Sequence, residues 1–449
     1  MSAVSTLTSP ATLGRAPGRP EKGWVNSRAL RWTAVIVVWA YSVVPAVVET
    51  ALIDRQHYKE GKTASNPLVV ALVDALSIAV PILAVGLLLL MLLFSKVTGE
   101  SLLLVVAPGL VLAANELVHG REPTLGLLIT SAVGTLLVIA RVKPRDLGIL
   151  GYLGALVAAA AIALSYLDPA KVFISGGSET FEKSLTGTSL LSGIFSNANV
   201  FGMFLALALP FAFTARRWWV RWPLIGVIAW ALVLTSSRTA LAGAVVVLAV
   251  IALSRVLPQP AFRVAAVVGL IAACITCVRV PFTETDPEAY TFRGAIWMFN
   301  RDELGGHWLF GLGAHWYADN YAMLSNALSS AASHGHNLVL TTLVMGGAVT
   351  LAAWAAVIVV AFVSSLRDTD RRQQAVGVAF VLGLVVIGVT ETPFGMLGWG
   401  PLSSSTVLPL FVLAARHWID RDDRTQLAQA IASMPREAMS RSALRAMRR

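Results

Sequence analysis

Long apolar blocks separated by short polar breaks run through the chain. Twelve read as spanning helices: 33–53, 68–94, 101–118, 124–140, 146–166, 198–214, 218–235, 239–256, 261–279, 336–363, 374–391 and 397–415. A helix needs about 20 mostly apolar residues to cross the hydrocarbon of a bilayer. The pattern predicts an all-α polytopic membrane protein with about twelve transmembrane helices. Only His119–Pro123 divides the third block from the fourth.

The polar stretches divide the chain further. Residues 1–31 are rich in Ser, Pro, Gly and Arg and run into a full-length apolar block. They read as a disordered cytoplasmic tail and not as a cleavable secretion signal. Residues 32–166 hold the first five helices, and 167–415 the remaining membrane domain. Loop 167–197 and the longer loop 280–335 interrupt the second part. Long loops in compact proteins usually carry function or are disordered. The aromatic content of 280–335 (Tyr290, Phe292, Trp297, Trp308, Phe310, Trp316, Tyr317 and Tyr321) predicts a folded loop. Short helices over Phe292–Phe299 and Tyr317–Leu328 fit its pattern. Residues 416–449 form a basic cytoplasmic tail, read either as an amphipathic helix on anionic headgroups or as a disordered topology determinant.

Composition agrees with the membrane reading. Hydrophobic residues make up 56% of 449 and charged residues only 13%, with a mean hydropathy of +0.71. A soluble domain usually carries about 25% charge, so a soluble enzyme, a disordered chain and a disulfide scaffold are all excluded. The formal net charge is +10. With both termini cytoplasmic, most of the 35 Lys and Arg fall on the cytoplasmic side, as the positive-inside rule expects. The basic balance is thus a topology signal and calls for no nucleic acid. Cys274 and Cys277 form a C-x-x-C inside an apolar run and read as packing residues, since metal and redox motifs need polar, accessible surroundings.

The polar residues that interrupt outer ends of helices carry the candidate chemistry. Arg238, in Thr235-Ser-Ser-Arg, falls where the positive-inside rule disfavours arginine. It reads as an anion ligand or as a snorkelling interface residue. Arg293 and Trp297 stand at i and i+4, so one helix face would present a cation and an aromatic wall. The planar guanidinium suits phosphate, and a stacked structural arginine is the other reading. His336, in Ser333-His-Gly-His-Asn337, is a candidate base for a hydroxyl, with Asn337 to orient it. A helix cap, or a metal pair with His334, is the alternative. Asn197 and Asn199 open the block at 198, where an Asn caps a helix by default and otherwise holds an anion or sugar hydroxyl. Glu49, Asp74, Glu116 and Glu391 are acids in or beside apolar runs, and Glu391 is placed to pair with Arg238 or Arg293. No phosphate-binding loop or nucleotide fingerprint is present.

Taken together these stretches resemble the O-antigen ligase/polymerase family of multi-pass glycosyltransferases. The family's S-G-x-F-x-N-P-N-x-x-G element corresponds to Ser192-Gly-Ile-Phe-Ser-Asn-Ala-Asn-Val-Phe-Gly202. Its T-x-S-R element corresponds to Thr235–Arg238, its R-x-x-x-W to Arg293–Trp297, its F-G-x-G to Phe310–Gly313, and its H-N to His336-Asn337. The match covers roughly 190–395. Two positions depart from it: Ala198 replaces the proline, and Leu190-Leu191 stand where an arginine is common. The resemblance implies a GT-C-like membrane fold. It also implies transfer or polymerisation of polyprenyl-diphosphate-linked (undecaprenyl diphosphate-type) saccharides onto a glycan or glycolipid acceptor at the outer face of the cytoplasmic membrane, in cell-envelope polysaccharide biosynthesis. It implies a metal-independent inverting reaction with no cofactor. Arg238 and Arg293 would hold the donor diphosphate and His336 would activate the acceptor, with Asn199, Asn337, Trp297 and Glu391 as substrate-binding candidates. The rival expectation is a secondary transporter of a glycan or small solute. Such transporters usually show repeated halves with broken helices, and no such repeat is visible here.

Overall fold

A computed structural model of the chain describes residues 28–52, 99–174, 184–187, 189–328, 333–416 and 418–419, with scattered positions between 67 and 86. The principal helices are α1 (Arg28–Leu52), α2 (Gly99–Val118), α3 (Leu125–Ile139), α4 (Gly148–Leu167), α5 (Ala198–Ala212), α6 (Trp218–Thr235), α7 (Arg238–Val256), α8 (Gln259–Thr283), α9 (Ala289–Leu304), α10 (Leu338–Leu366), α11 (Arg371–Ile387) and α12 (Pro401–Arg416). The strand content among the described residues is one two-residue antiparallel ladder, Phe173–Ile174 with Leu190–Leu191. The fold is all-α. Six helical stretches are long and apolar enough to cross a membrane: Arg28–Leu52, Pro144–Leu167, Trp218–Thr235, Arg238–Val256, Gln259–Thr283 and Leu338–Leu366.

The side chains divide these helices into an inner and an outer set. Almost every residue of α5 and α11 is buried, as expected for helices that are apolar all round and surrounded by others. Phe195, Phe201, Phe204, Phe211, Phe380 and Phe411 are buried in the core around them, with Phe211 and Phe380 in contact across the two helices (5.5 Å). By contrast, α8 exposes Val264, Val268, Ile271 and Ile275, and α6 exposes Trp222 and Trp230. Apolar surface of that extent is stable facing lipid and costly facing water.

Polar contacts gather at the two ends of the bundle. At one end Arg31 forms a buried ion pair with Asp146 (2.6 Å), Arg416 pairs with Asp368, and Arg371 donates from Nε to the Ser254 carbonyl (2.6 Å). At the other end Arg121 pairs with Asp319 and Arg293 with Glu391.

The described residues of loop 280–335 fold over this second end, as its aromatic content predicts. Helix α9 begins a few residues earlier and runs further than the expected Phe292–Phe299. The second expected helix forms as two short ones, Trp316–Asp319 and Tyr321–Leu328. The Phe310–Gly313 element owes its glycines to a break in α10. Gly347 is left-handed (φ 66°), so the helix opens there, and residues 308–312 pass against the gap. The Leu312 amide donates to the Val344 carbonyl (2.7 Å) and the Ala348 amide to the Trp308 carbonyl (2.8 Å). A Cβ on Gly311 would lie 2.5 Å from the Leu343 carbonyl oxygen, so only glycine lets the strands of chain approach this closely. Asn115 of α2 donates to the carbonyls of Phe310 (2.8 Å) and Met345 (3.2 Å) and closes the junction.

Several boundaries differ from the sequence reading. Arg28–Arg31 form the first turn of α1, and Arg31 is buried on Asp146 instead of belonging to a solvated tail. α10 starts at Leu338 because Asn337 caps it, and α11 ends at Ile387, so Glu391 lies in a loop. The rest of the N-terminal tail, most of 68–94 including Asp74, and the C-terminal tail beyond Ile419 lie outside the described residues.

Candidate active site

Three distant segments meet at the loop-covered end. Arg293 leads into the regular part of α9, after three consecutive residues in the left-handed region (Tyr290, Thr291 and Phe292). Such backbone is costly for non-glycine residues and persists only where the surroundings enforce it. One face of α9 then grips two loops. Arg293 donates from Nη2 to Glu391 Oε1, and Trp297 donates from Nε1 to the Gly335 carbonyl (3.0 Å). Trp297 is fully buried and packs on Tyr290. The i, i+4 pair therefore does share a face, but its aromatic member positions the histidine loop and presents no open wall.

His336 stands on that loop with φ 45°, another left-handed non-glycine position. Its Nδ1 lies 3.2 Å from Glu391 Oε2. A carboxylate only accepts, so in the neutral imidazole Nδ1 carries the proton and Nε2 keeps the lone pair. His334 is different. Its Nδ1 accepts the His336 backbone amide (3.1 Å), which leaves Nε2 protonated in the neutral ring. Desolvation, then the charges of His336 and Arg293, push the His334 pKa down to about 3. His334 thus offers a donor and His336 an acceptor. The tautomers separate two residues that sequence spacing leaves equivalent.

Glu391 is 2% exposed and bridges Arg293 and His336. Burial pushes its carboxyl pKa up, yet the His336 hydrogen bond and the Arg293 charge outweigh that effect and hold it below the usual 4.5. Of the two partners that sequence reading allows it, Arg293 is the one it meets. Arg293 spends one of its five N–H donors on Glu391, and the guanidinium fork has others to offer an anion.

The remaining expected residues take several places. Arg238 is exposed at the start of α7, after Ser236 in the left-handed region and Ser237 as N-cap. It makes no hydrogen bond or ion pair among the described residues. The next residue, Thr239, hydrogen-bonds Thr390 (2.7 Å), which sets the backbone of Arg238 beside the Glu391 loop. Asn337 is fully buried. Its Oδ1 caps α10 through the Leu340 amide (2.8 Å), and its Nδ2 donates to the carbonyls of Cys277 and Val389 (2.9 Å each). That side chain ties three segments together and holds the site in place. At the other asparagine pair, Asn197 is the cap, through the Val200 amide (2.9 Å), and Asn199 is half-buried without a polar partner among the described residues. Glu116 accepts the Ala314 amide and pins the loop that follows α9 to α2. Cys277 is buried against the Gly388 carbonyl, in keeping with a packing role.

A cavity of about 650 Å³ opens next to the histidine loop. Its lining includes the polar residues Ser196, His334, Thr341, Thr392 and Glu49 and the apolar residues Phe195, Met203, Met345, Phe394 and Met396. The Ser192–Asn197 element reaches it through Phe195, which stacks on Phe201 at 5.5 Å. Thr341 and Thr392, hydrogen-bonded at 2.9 Å, are part of the site that sequence reading misses. Nothing distinguishes them along the chain from other threonines in apolar runs.

His334, His336 and Glu391 can bring one ligand atom each within 4.8 Å of one another. The donor set suits a metal poorly. Arg293 already balances Glu391, His334 has given Nδ1 to the backbone, and a dication would sit against a guanidinium. The arrangement suits proton transfer to His336 Nε2 beside an anion held by arginine. No protein-family model matches this chain, and no curated protein matches it either.

Proposed function

We propose that the protein is a metal-independent inverting glycosyltransferase of the O-antigen ligase/polymerase type. On this reading about twelve helices cross the cytoplasmic membrane, both termini are cytoplasmic, and the Arg293–Glu391–His336 site faces outward. The donor is a polyprenyl-diphosphate-linked saccharide and the acceptor a glycan or glycolipid hydroxyl. The observation that carries the reading is the contact of Arg293 and His336 with one buried carboxylate, across 98 and 55 residues of sequence.

The chemistry follows from the parts. As the sugar–oxygen bond breaks, negative charge grows on the leaving diphosphate. Arg293, held in place by Glu391, stabilises that charge without reorganising, and the exposed Arg238 adds a second guanidinium. His336 Nε2 takes the acceptor proton, and Glu391 stabilises the imidazolium that forms through Nδ1. Attack opposite the leaving group inverts the anomeric centre. The large cavity, lined by both apolar and hydroxyl-bearing side chains, has the mixed character of a lipid-linked glycan.

Envelope glycan profiles of cells carrying Arg238→Ala, Arg293→Ala or His336→Ala test the proposal. It expects loss of long glycan with normal membrane insertion. Unchanged glycan together with lost solute uptake would overturn it in favour of a transporter.

A further inference from the structure

At the end of the bundle opposite the candidate site, three arginines from three helices gather without acidic partners among the described residues. They are Arg221 of α6, Arg255 in the last turn of α7, and Arg372 at the start of α11. The guanidinium of Arg221 experiences the positive charges of both Arg372 and Arg255, and its Nε is buried with no hydrogen-bond partner. The cluster is built in. Arg371 donates to the carbonyls of Ser254 and Leu257, which brings the start of α11 to the end of α7. The nearby acids are occupied: Asp370 caps α11 through the amides of Arg372 and Gln373, and Asp368 pairs with Arg416. Like charges held together around an unsatisfied donor favour a bound anion.

A second feature starts beside the same cluster. α7 and α8 diverge from their tight turn and leave an apolar cavity of about 330 Å³, lined by Val250, Leu253, Phe262, Ala266, Gly269 and Leu382. Leu253 lies two residues from Arg255. The cavity extends along α7 from Leu253 to Val246, about 10 Å at the rise of an α-helix. Trp218, Trp219 and Trp222 stand exposed near Arg221, with the Arg217 guanidinium 5.0 Å from the Trp219 ring. Exposed tryptophans of this kind mark headgroup level.

We infer that Arg221, Arg255 and Arg372 bind the phosphate of an anionic membrane phospholipid whose acyl chain occupies the α7–α8 groove. Charge complementarity selects an anionic headgroup, and the apolar groove that opens near the same end of α7 selects a lipid over free phosphate. The site is independent of the proposed reaction at the other end of the bundle.

Native mass spectrometry on the full chain, released from nanodiscs of equimolar phosphatidylglycerol and phosphatidylethanolamine, tests this. The wild type is expected to retain phosphatidylglycerol selectively. The double variant Arg255→Gln/Arg372→Gln is expected to lower that retention by roughly 25-fold, each arginine near an anionic surface counting for roughly a factor of five. Both side chains are exposed, so the helices keep their packing. Gly269→Leu is expected to lower it as well; a Cβ there meets Leu382 at an ordinary 3.8 Å, and the longer chain fills the groove. Equal retention of the two lipids by the wild type, or wild-type retention of phosphatidylglycerol by either variant, would overturn the inference.

Discussion

Glu391→Gln is the most informative single substitution. The carboxylate is 2% exposed and carries two jobs, balancing Arg293 and fixing the His336 tautomer. Gln keeps the volume and removes the charge. Breaking one partner of a buried ion pair costs about 3–5 kcal/mol where both groups are dry. The Arg293 side chain is 15% exposed, so the lower part of that range applies to stability. On the proposed reaction the loss of transfer is larger. An amide can donate its N–H to His336 Nδ1, which moves the imidazole proton to Nε2 and removes the base. The equivalent acid-to-amide change in serine-protease triads, a different system, costs about 10⁴ in turnover. We therefore expect saccharide transfer by purified Glu391→Gln protein to fall by a factor on the order of 10³ to 10⁴, with Glu391→Asp recovering part of it. Wild-type turnover in a folded Glu391→Gln variant would refute the assignment of Glu391 and with it the choice of His336 over His334.

Three further outcomes follow from the same geometry. Because His334 titrates near 3 when folded and near 6.5 when unfolded, the unfolded chain gains that proton first, and stability falls as pH drops below about 6.5; thermal melts of His334→Gln should lose up to about 1 kcal/mol per pH unit of that slope, and an unchanged slope would contradict the burial of a neutral ring. Asn337→Ala removes a helix cap and leaves two buried carbonyls unpaired, so it should destabilise by about 3 kcal/mol in denaturant melts, whereas Asn199→Ala should be close to neutral. Gly294→Ala places a Cβ 1.9 Å from the Asp286 carbonyl oxygen, so α9 must shift; the expected result in denaturant melts is a stability loss on the order of 1–3 kcal/mol, with loss of transfer through displacement of Arg293.

The fold class is written in the chain because lipid-facing and buried helices both demand apolar blocks, and eleven of the twelve expected segments have helical counterparts among the described residues. Ends were less legible. Arg31 reads as tail until Asp146, 115 residues away, supplies its partner. Glu391 stands out along the sequence because charge at an apolar boundary is expensive, Arg293 through its spacing to Trp297, and His336 through its place before Asn337. Their convergence depends on the turn before Arg293 and on the Asn337 bridge, which only tertiary packing defines. Thr341, Thr392 and the donor role of His334 have no sequence signature, since a hydroxyl or imidazole in an apolar run is defined by what faces it. The glycines of Phe310–Gly313 were visible, but not their purpose of lying against the open turn at Gly347.

The central claim is that this outer site transfers a saccharide from a lipid diphosphate by acid–base chemistry. Purified protein in nanodiscs, given a defined polyprenyl-diphosphate oligosaccharide and an acceptor glycan with chelator present, measures it directly. The account predicts a lengthened acceptor with inverted anomeric configuration, released polyprenyl diphosphate, and no product from His336→Ala. Transfer that stops on chelation, or that proceeds normally in the folded His336→Ala protein, would contradict it.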